Sequence, residues 1–258
     1  MEQQKNKSMN HFINNIKIIQ LSNLSENSFT ARDIDNTFII FHSLNKILYI
    51  IYSTKIKSII SYNLNKFQII SEIKNAHEGN FITNFRHFFD KINNRDLIMS
   101  ISAKVCNIKI WDNKNWNCIL SIKDIYSKGI INSACFILYE KRILIVTGNN
   151  YWCSPNPIKI INIQGKVIKT MKNSCENSYY IDSYFDKLNF NLYIISCSFD
   201  YIISYDYIKN EKYHKYFDCN SKYHCSYKMM EKEGITKLIE SAADGYIRIW
   251  NFHSGLLI

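Results

Sequence analysis

The side chains with most capacity for chemistry crowd one segment: His214, Cys219, His224 and Cys225, four metal-capable ligands within twelve residues. Two Cys and two His would complete a tetrahedral Zn²⁺ site. Zinc ligands, however, pair at short intervals, as C-x₂₋₄-C and H-x₃₋₅-H, and this segment offers neither pairing. Ordinary residues on two strands and a loop are the simpler reading, so no metal is expected. His77-Glu78 sets a base beside an acid, but a structural His ahead of a strand explains it better than catalysis. The chain has no G-x-S-x-G, no G-x-x-x-x-G-K-[ST], no G-x-G-x-x-G and no H-E-x-x-H. Seven Gly leave little material for a phosphate cradle. The eight Cys form no C-x-x-C, and Cys135 and Cys197 fall in apolar runs where a thiol behaves as a small hydrophobe. These observations point away from an enzyme and from any cofactor.

The elements that would carry such residues are strands. Hydrophobic residues make up 47% of the chain, mostly Ile, Tyr and Phe, which suit a pleated surface. Gly and Pro are few, and Asn63, Asn65, Asn113, Asn115, Asn210 and Asn220 stand between apolar runs in their place, since Asn tolerates a positive φ. At 258 residues, with no linker inside it, the chain is expected to form one domain. Residues 1–12 are expected to be a disordered tail and 13–258 the folded body, with Ile13 to Leu21 a first strand. The polar start is no secretory signal, and the longest apolar run, Ile47 to Tyr52, is too short to cross a bilayer. A cytoplasmic or nuclear protein with reduced thiols and no membrane partner is therefore expected.

One stretch sets the pattern. In Lys237 to Phe252 (KLIESAADGYIRIWNF) an apolar run leads into the hairpin signal Asp244-Gly245, and Ile247, Arg248 and Ile249 then alternate with period two. The chain repeats this cadence, and five strand endings pair an apolar or aromatic residue with Asx: Tyr62-Asn63, Trp111-Asp112, Ile161-Asn162, Tyr205-Asp206 and Trp250-Asn251. They are spaced by 49, 50, 44 and 45 residues. That resembles the WD40 repeat family, whose period is about 40–45 residues and whose third strand ends in Trp-Asp. The resemblance covers about residues 37–258. It implies an all-β, WD40-like β-propeller of four-stranded antiparallel blades, near 37–73, 80–122, 129–171, 179–217 and 223–258. Five blades are fewer than the family's usual seven, so an incomplete or open propeller is expected rather than a closed ring. The strand Ile13 to Leu21 is a candidate to close it beside Leu256 to Ile258.

In WD40 proteins a His before the first strand, a Ser or Thr in the second, an Asp in the following turn and the Trp of the third form a hydrogen-bonded tetrad. The resemblance assigns His77 to the His position of the second blade, Asp244 to the Asp position of the fifth and Asp200, more loosely, to that of the fourth. Val105 stands where the second blade needs Asp, and Ile161 where the third needs Trp. Hydrophobic stacking is therefore expected to hold the blades more than the tetrad does. Some propellers that serve ubiquitin ligases carry Trp-Asp-x-Arg, and neither Trp111-Asp112-Asn113-Lys114 nor Trp250-Asn251-Phe252-His253 has the Arg. The expected function is a non-enzymatic scaffold whose partners are other proteins. Tyr151 and Trp152, in the long connection Asn149 to Pro157 of the third blade, are the candidate anchors. The formal charge of +10 raises a rival, a nucleic-acid-associated propeller. Its Lys residues are scattered, however, and the joint excess of Ile, Asn, Lys, Tyr and Phe matches AT-rich coding bias.

Overall fold

Short runs of Ile, Tyr and Leu bounded by Asn, Asp and Ser turn residues form nineteen strands among the described residues of the computed structural model. It describes residues 34–54, 57–102, 107–123, 125–126, 130–150, 157–171, 174, 178–218, 224–232, 235–242 and 244–258. The expected tail over 1–12, the strand Ile13 to Leu21, and Val105, Tyr151, Trp152 and Cys219 lie outside these residues.

Each group of four strands is a meander whose neighbours pair antiparallel. Sheet 1 holds β1 (Ile34–His42), β2 (Leu48–Thr54), β3 (Ile59–Asn63) and β4 (Gln68–Ile73). Sheet 2 holds β5 (Ile82–Asp90), β6 (Arg95–Ser102), β7 (Asn107–Asp112) and β8 (Cys118–Ile122). Sheet 3 holds β9 (Ile130–Tyr139), β10 (Arg142–Asn150), β11 (Lys159–Asn162) and β12 (Val167–Thr170). Sheet 4 holds β13 (Tyr180–Asp186), β14 (Asn191–Cys197), β15 (Ile202–Asp206) and β16 (Glu211–Tyr216). Sheet 5 has three strands, β17 (His224–Lys232), β18 (Ile235–Ala242) and β19 (Ile247–Asn251). The expected fourth strand of sheet 5 is reduced to one bridge, Trp250 to Leu257.

The burial of the strands orders the array. Successive sheets touch through their first strands: β1 against β5, β5 against β9, β9 against β13 and β13 against β17. The third strands β3 and β15 are buried along their whole length. The fourth strands β4 and β12 are mostly exposed and form the outer rim. This is a radial, propeller-like arrangement of blades, and among the described residues no comparable contact joins β1 to β17.

Four hydrophobic cores fill the gaps between consecutive sheets. Phe41, Ile51, Phe85 and Ile98 join sheets 1 and 2; Met99, Ile110, Phe136 and Ile145 join sheets 2 and 3. Val146, Ile160, Ile181 and Ile194 join sheets 3 and 4; Tyr193, Tyr216, Trp250 and Phe252 join sheets 4 and 5. Cys135 and Cys197 lie buried within two of these cores, and burial pushes the Cys135 thiol well up. Two polar details tighten the stacking. Asp96 accepts from the Leu44 backbone at 3.0 Å and meets His87 Nε2 at 2.7 Å, while the His87 ring stacks on Phe41. Gly148, at a bulge in β10, lets β10 approach sheet 4 closely: a Cβ there would come 2.5 Å from Ser178 Cβ.

Candidate interaction surface

The strand register places one residue of each second strand and one of each third strand in equivalent positions. Opposite the third-strand residues Tyr62, Trp111, Ile161, Tyr205 and Trp250 lie Ile50, Ile98, Ile145, Ile194 and Leu238. Two residues beyond these, on the same face, stand Tyr52, Ser100, Thr147, Ser196 and Glu240. In sheet 2, Trp111 Nε1 donates to Ser100 Oγ at 2.8 Å, and His77 Nε2 lies 2.7 Å from the same oxygen. His77, Ser100 and Trp111 thus form one buried network. In sheet 3 the hydroxyl of Tyr126 takes the part of the His, donating to the Thr147 carbonyl at 2.9 Å with Thr147 Oγ1 at 3.1 Å. In sheet 4, Ser178 and Ser196 hydroxyls meet at 2.7 Å. In sheet 5, Trp250 Nε1 donates to Glu240 Oε2 at 3.0 Å, so a buried carboxylate replaces the hydroxyl.

Cations on the third strands complete the frame. Lys109 and Lys159, paired across the ladder with Ser100 and Thr147, donate to the Ala76 and Ile125 carbonyls at 2.9 and 2.6 Å. These bonds pin the segments that carry His77 and Tyr126. Arg248 holds the same place in sheet 5 and binds Asp218 at 2.8 Å and Asp244 at 2.5 Å, with Glu240 at 3.8 Å. A carboxylate as buried as Glu240 needs such a counter-charge.

The Asx residues that end the third strands lock the following turns. Asn63, Asp112, Asn162, Asp206 and Asn251 each accept a backbone N–H from two to four residues ahead through Oδ1, at 2.8–3.1 Å. The turn then reverses through a left-handed residue: Phe67, Trp116, Asn210 and Gly255 four residues after the Asx, and Gly165 three after. Every one of the four complete sheets also has a bulge at the aromatic or apolar residue before its Asx.

Of the residues singled out from sequence, His77 and Trp111 come together on Ser100, and the five Asx residues share one structural task. Asp244 lies in the β18–β19 turn, where it accepts the Tyr246 backbone N–H at 3.1 Å and both terminal nitrogens of Arg248. Asp200 is exposed in the β14–β15 turn. His214 meets the His253 carbonyl through Nε2 at 2.5 Å, and no group of three or more metal-capable side chains occurs among the described residues. Sequence reasoning missed Ser100, Thr147, Glu240 and Arg248. The signal available was an offset, since Ser100 and Glu240 precede their Trp by 11 and 10 residues.

One of these turns, β11–β12, also helps to wall a cleft of about 480 Å³ between sheets 2 and 3. It is formed by the β5–β6, β9–β10 and β11–β12 turns and floored by Ile143 and Leu144. Among the described residues no helix is long and apolar enough to cross a membrane. No family model matches this sequence, and no curated protein is significantly similar to it. The fold and the repeated frame define an all-β protein of stacked four-stranded antiparallel sheets, compatible with a β-propeller.

Proposed function

We propose that this chain is a non-enzymatic protein-interaction scaffold of the WD40-repeat type. The observation that supports it best is the recurrence of one frame. The same ladder positions, Asx-locked turns and bulges return from sheet to sheet and hold the connecting loops on a rigid core. The His77–Ser100–Trp111 network is the arrangement that the WD40 resemblance leads one to expect. Loops fixed in this way bind by presenting preorganised side chains, with little ordering cost on association.

Purification of the tagged protein from its own cells, with and without nuclease, tests the reading. Proteins retained after nuclease, and a subset lost on Trp152→Ala with the melting curve unchanged, are the expected result. Release of every retained protein by nuclease would replace the scaffold with the nucleic-acid reading that the +10 charge suggests.

A further inference from the structure

The cleft between sheets 2 and 3 has a composition that selects a ligand. Its lining is mixed: Ile143 belongs to the core edge and Ile92 and Ile168 stand exposed at its walls, while Asn93, Asn162 and Gln164 add polar groups between them. Its mouth is cationic. Lys141 and Arg142, at the β9–β10 turn, are exposed, and no ion pair engages either among the described residues. Arg95, on the opposite sheet, is paired with Asp90 at 3.0 Å and lies 4.0 Å from Asp112, so the free charge at the mouth is that of Lys141 and Arg142. The lining carboxylate, Asp90, offers no opposition. It is buried and spent on Asn93 and Arg95, which hold its carboxyl below the usual range despite burial.

We infer that this cleft is a docking site for a short partner segment in which a large apolar side chain is flanked by carboxylates. The inference rests on the scaffold reading and gives that reading a site and a partner chemistry. An apolar side chain would leave water against Ile92, Ile143 and Ile168, while the flanking carboxylates meet Lys141 and Arg142. The volume falls within the roughly 300–1,000 Å³ of ordinary ligand sites. The walls are preorganised, because Asp90 and Asn162 fix two of the three turns that form them. A nucleic acid fits less well: among the described residues no aromatic side chain lines the cleft for base stacking, and phosphates would leave the apolar floor wet. A second copy of the chain is disfavoured by its own charge of +10.

Fluorescence polarisation with the full chain tests this directly. The probe is a labelled Glu-Asp-Leu-Phe-Glu-Asp peptide, beside a Gln/Asn version, a Gly-Ser-centred version and a single-stranded oligouridine. Binding of the first peptide, weakened about ten-fold or more by either replacement and by Lys141→Glu with Arg142→Glu, is the expected result. Ile168→Asp should weaken it as well. Both cations are exposed, so the charge-reversed protein should melt as the wild type does, which separates lost binding from lost fold. Equal binding of the Gly-Ser version would reduce the site to bulk charge and overturn the proposal. No binding, or binding indifferent to Lys141 and Arg142, would overturn it too. Tighter oligouridine binding with the same sensitivity would hand the cleft to nucleic acid. If retained partners of the tagged protein survive the charge reversal while the peptide does not bind, the scaffold reading stands and this site falls.

Discussion

Ser100 accepts from Trp111 and meets His77, while the far nitrogen of that ring, Nδ1, is buried without a hydrogen-bond partner. Burial, with Lys109 nearby, pushes the His77 pKa down from 6.5 to about 4, so the ring is neutral in the folded protein near pH 7. A folded-state pKa below the unfolded one means that the unfolded chain binds more protons between these values. Stability should therefore fall as pH drops from about 6.5 towards 4, by on the order of 3 kcal/mol once the descent is complete. Urea midpoints from pH 7 to 4.5 should decline more steeply for the wild type than for His77→Gln; parallel curves would show that His77 is hydrated. His77 and Trp111 are legible in the sequence because rare residue types stand at a telling offset. Ser100 and Thr147 are not, because a hydroxyl on an apolar strand is unremarkable until the register brings it beneath a ring. Glu240 is hidden for a stronger reason: in a strand pattern a carboxylate reads as solvent-facing, whereas here Arg248 and Trp250 help to make its burial tolerable.

At the scale of the element, the third-to-fourth-strand turn is the unit that repeats most faithfully. Its Asx side chain does by hydrogen bonding what Gly and Pro would otherwise do by backbone preference, which is why so few of either suffice. The left-handed residue at its end is less well matched. Phe67 adopts φ 54° with its side chain 70% exposed, whereas Gly255 fills the equivalent place in sheet 5. A non-Gly residue held there is strained, and an exposed ring gives back little packing. Phe67→Gly is expected to stabilise the protein by about 0.5–1 kcal/mol, after the greater flexibility that Gly adds to the unfolded chain. Asn210→Gly should give less, since Asn already tolerates this conformation. A lower denaturation midpoint for Phe67→Gly would mean that the ring packs in solution. The Asx residues betray the turns in the sequence, but Phe67 and Trp116 do not. Bulky rings ordinarily avoid positive φ, and they accept it here because the locked turn leaves the chain no other course.

Across the whole molecule four hydrophobic cores lie between consecutive sheets, so each sheet draws stability from its neighbours and the ends of the array are set apart from its middle. The repeat spacing made the number and order of sheets legible. It did not show that the fourth strand of sheet 5 shrinks to the Trp250–Leu257 bridge, because Leu256 to Ile258 is as apolar as a paired strand. Sheet 5 faces two environments. On one side Phe252 is fully buried among Tyr184, Tyr193, Tyr213 and Tyr216 of sheet 4, and Tyr216 donates to its carbonyl at 2.7 Å. Elsewhere on the sheet, Ile247 is 73% exposed. Phe252→Ala should remove about 3–5 kcal/mol, the cost of a cavity in an aromatic core. Ile247→Ala, in the same sheet, should change stability by no more than about 0.5 kcal/mol. Chemical denaturation of both variants, followed by tyrosine and tryptophan fluorescence, compares the two environments within one element. If the two losses were equal, sheet 5 would not be packed on sheet 4, and the sequential stacking of the five sheets would break at its last step.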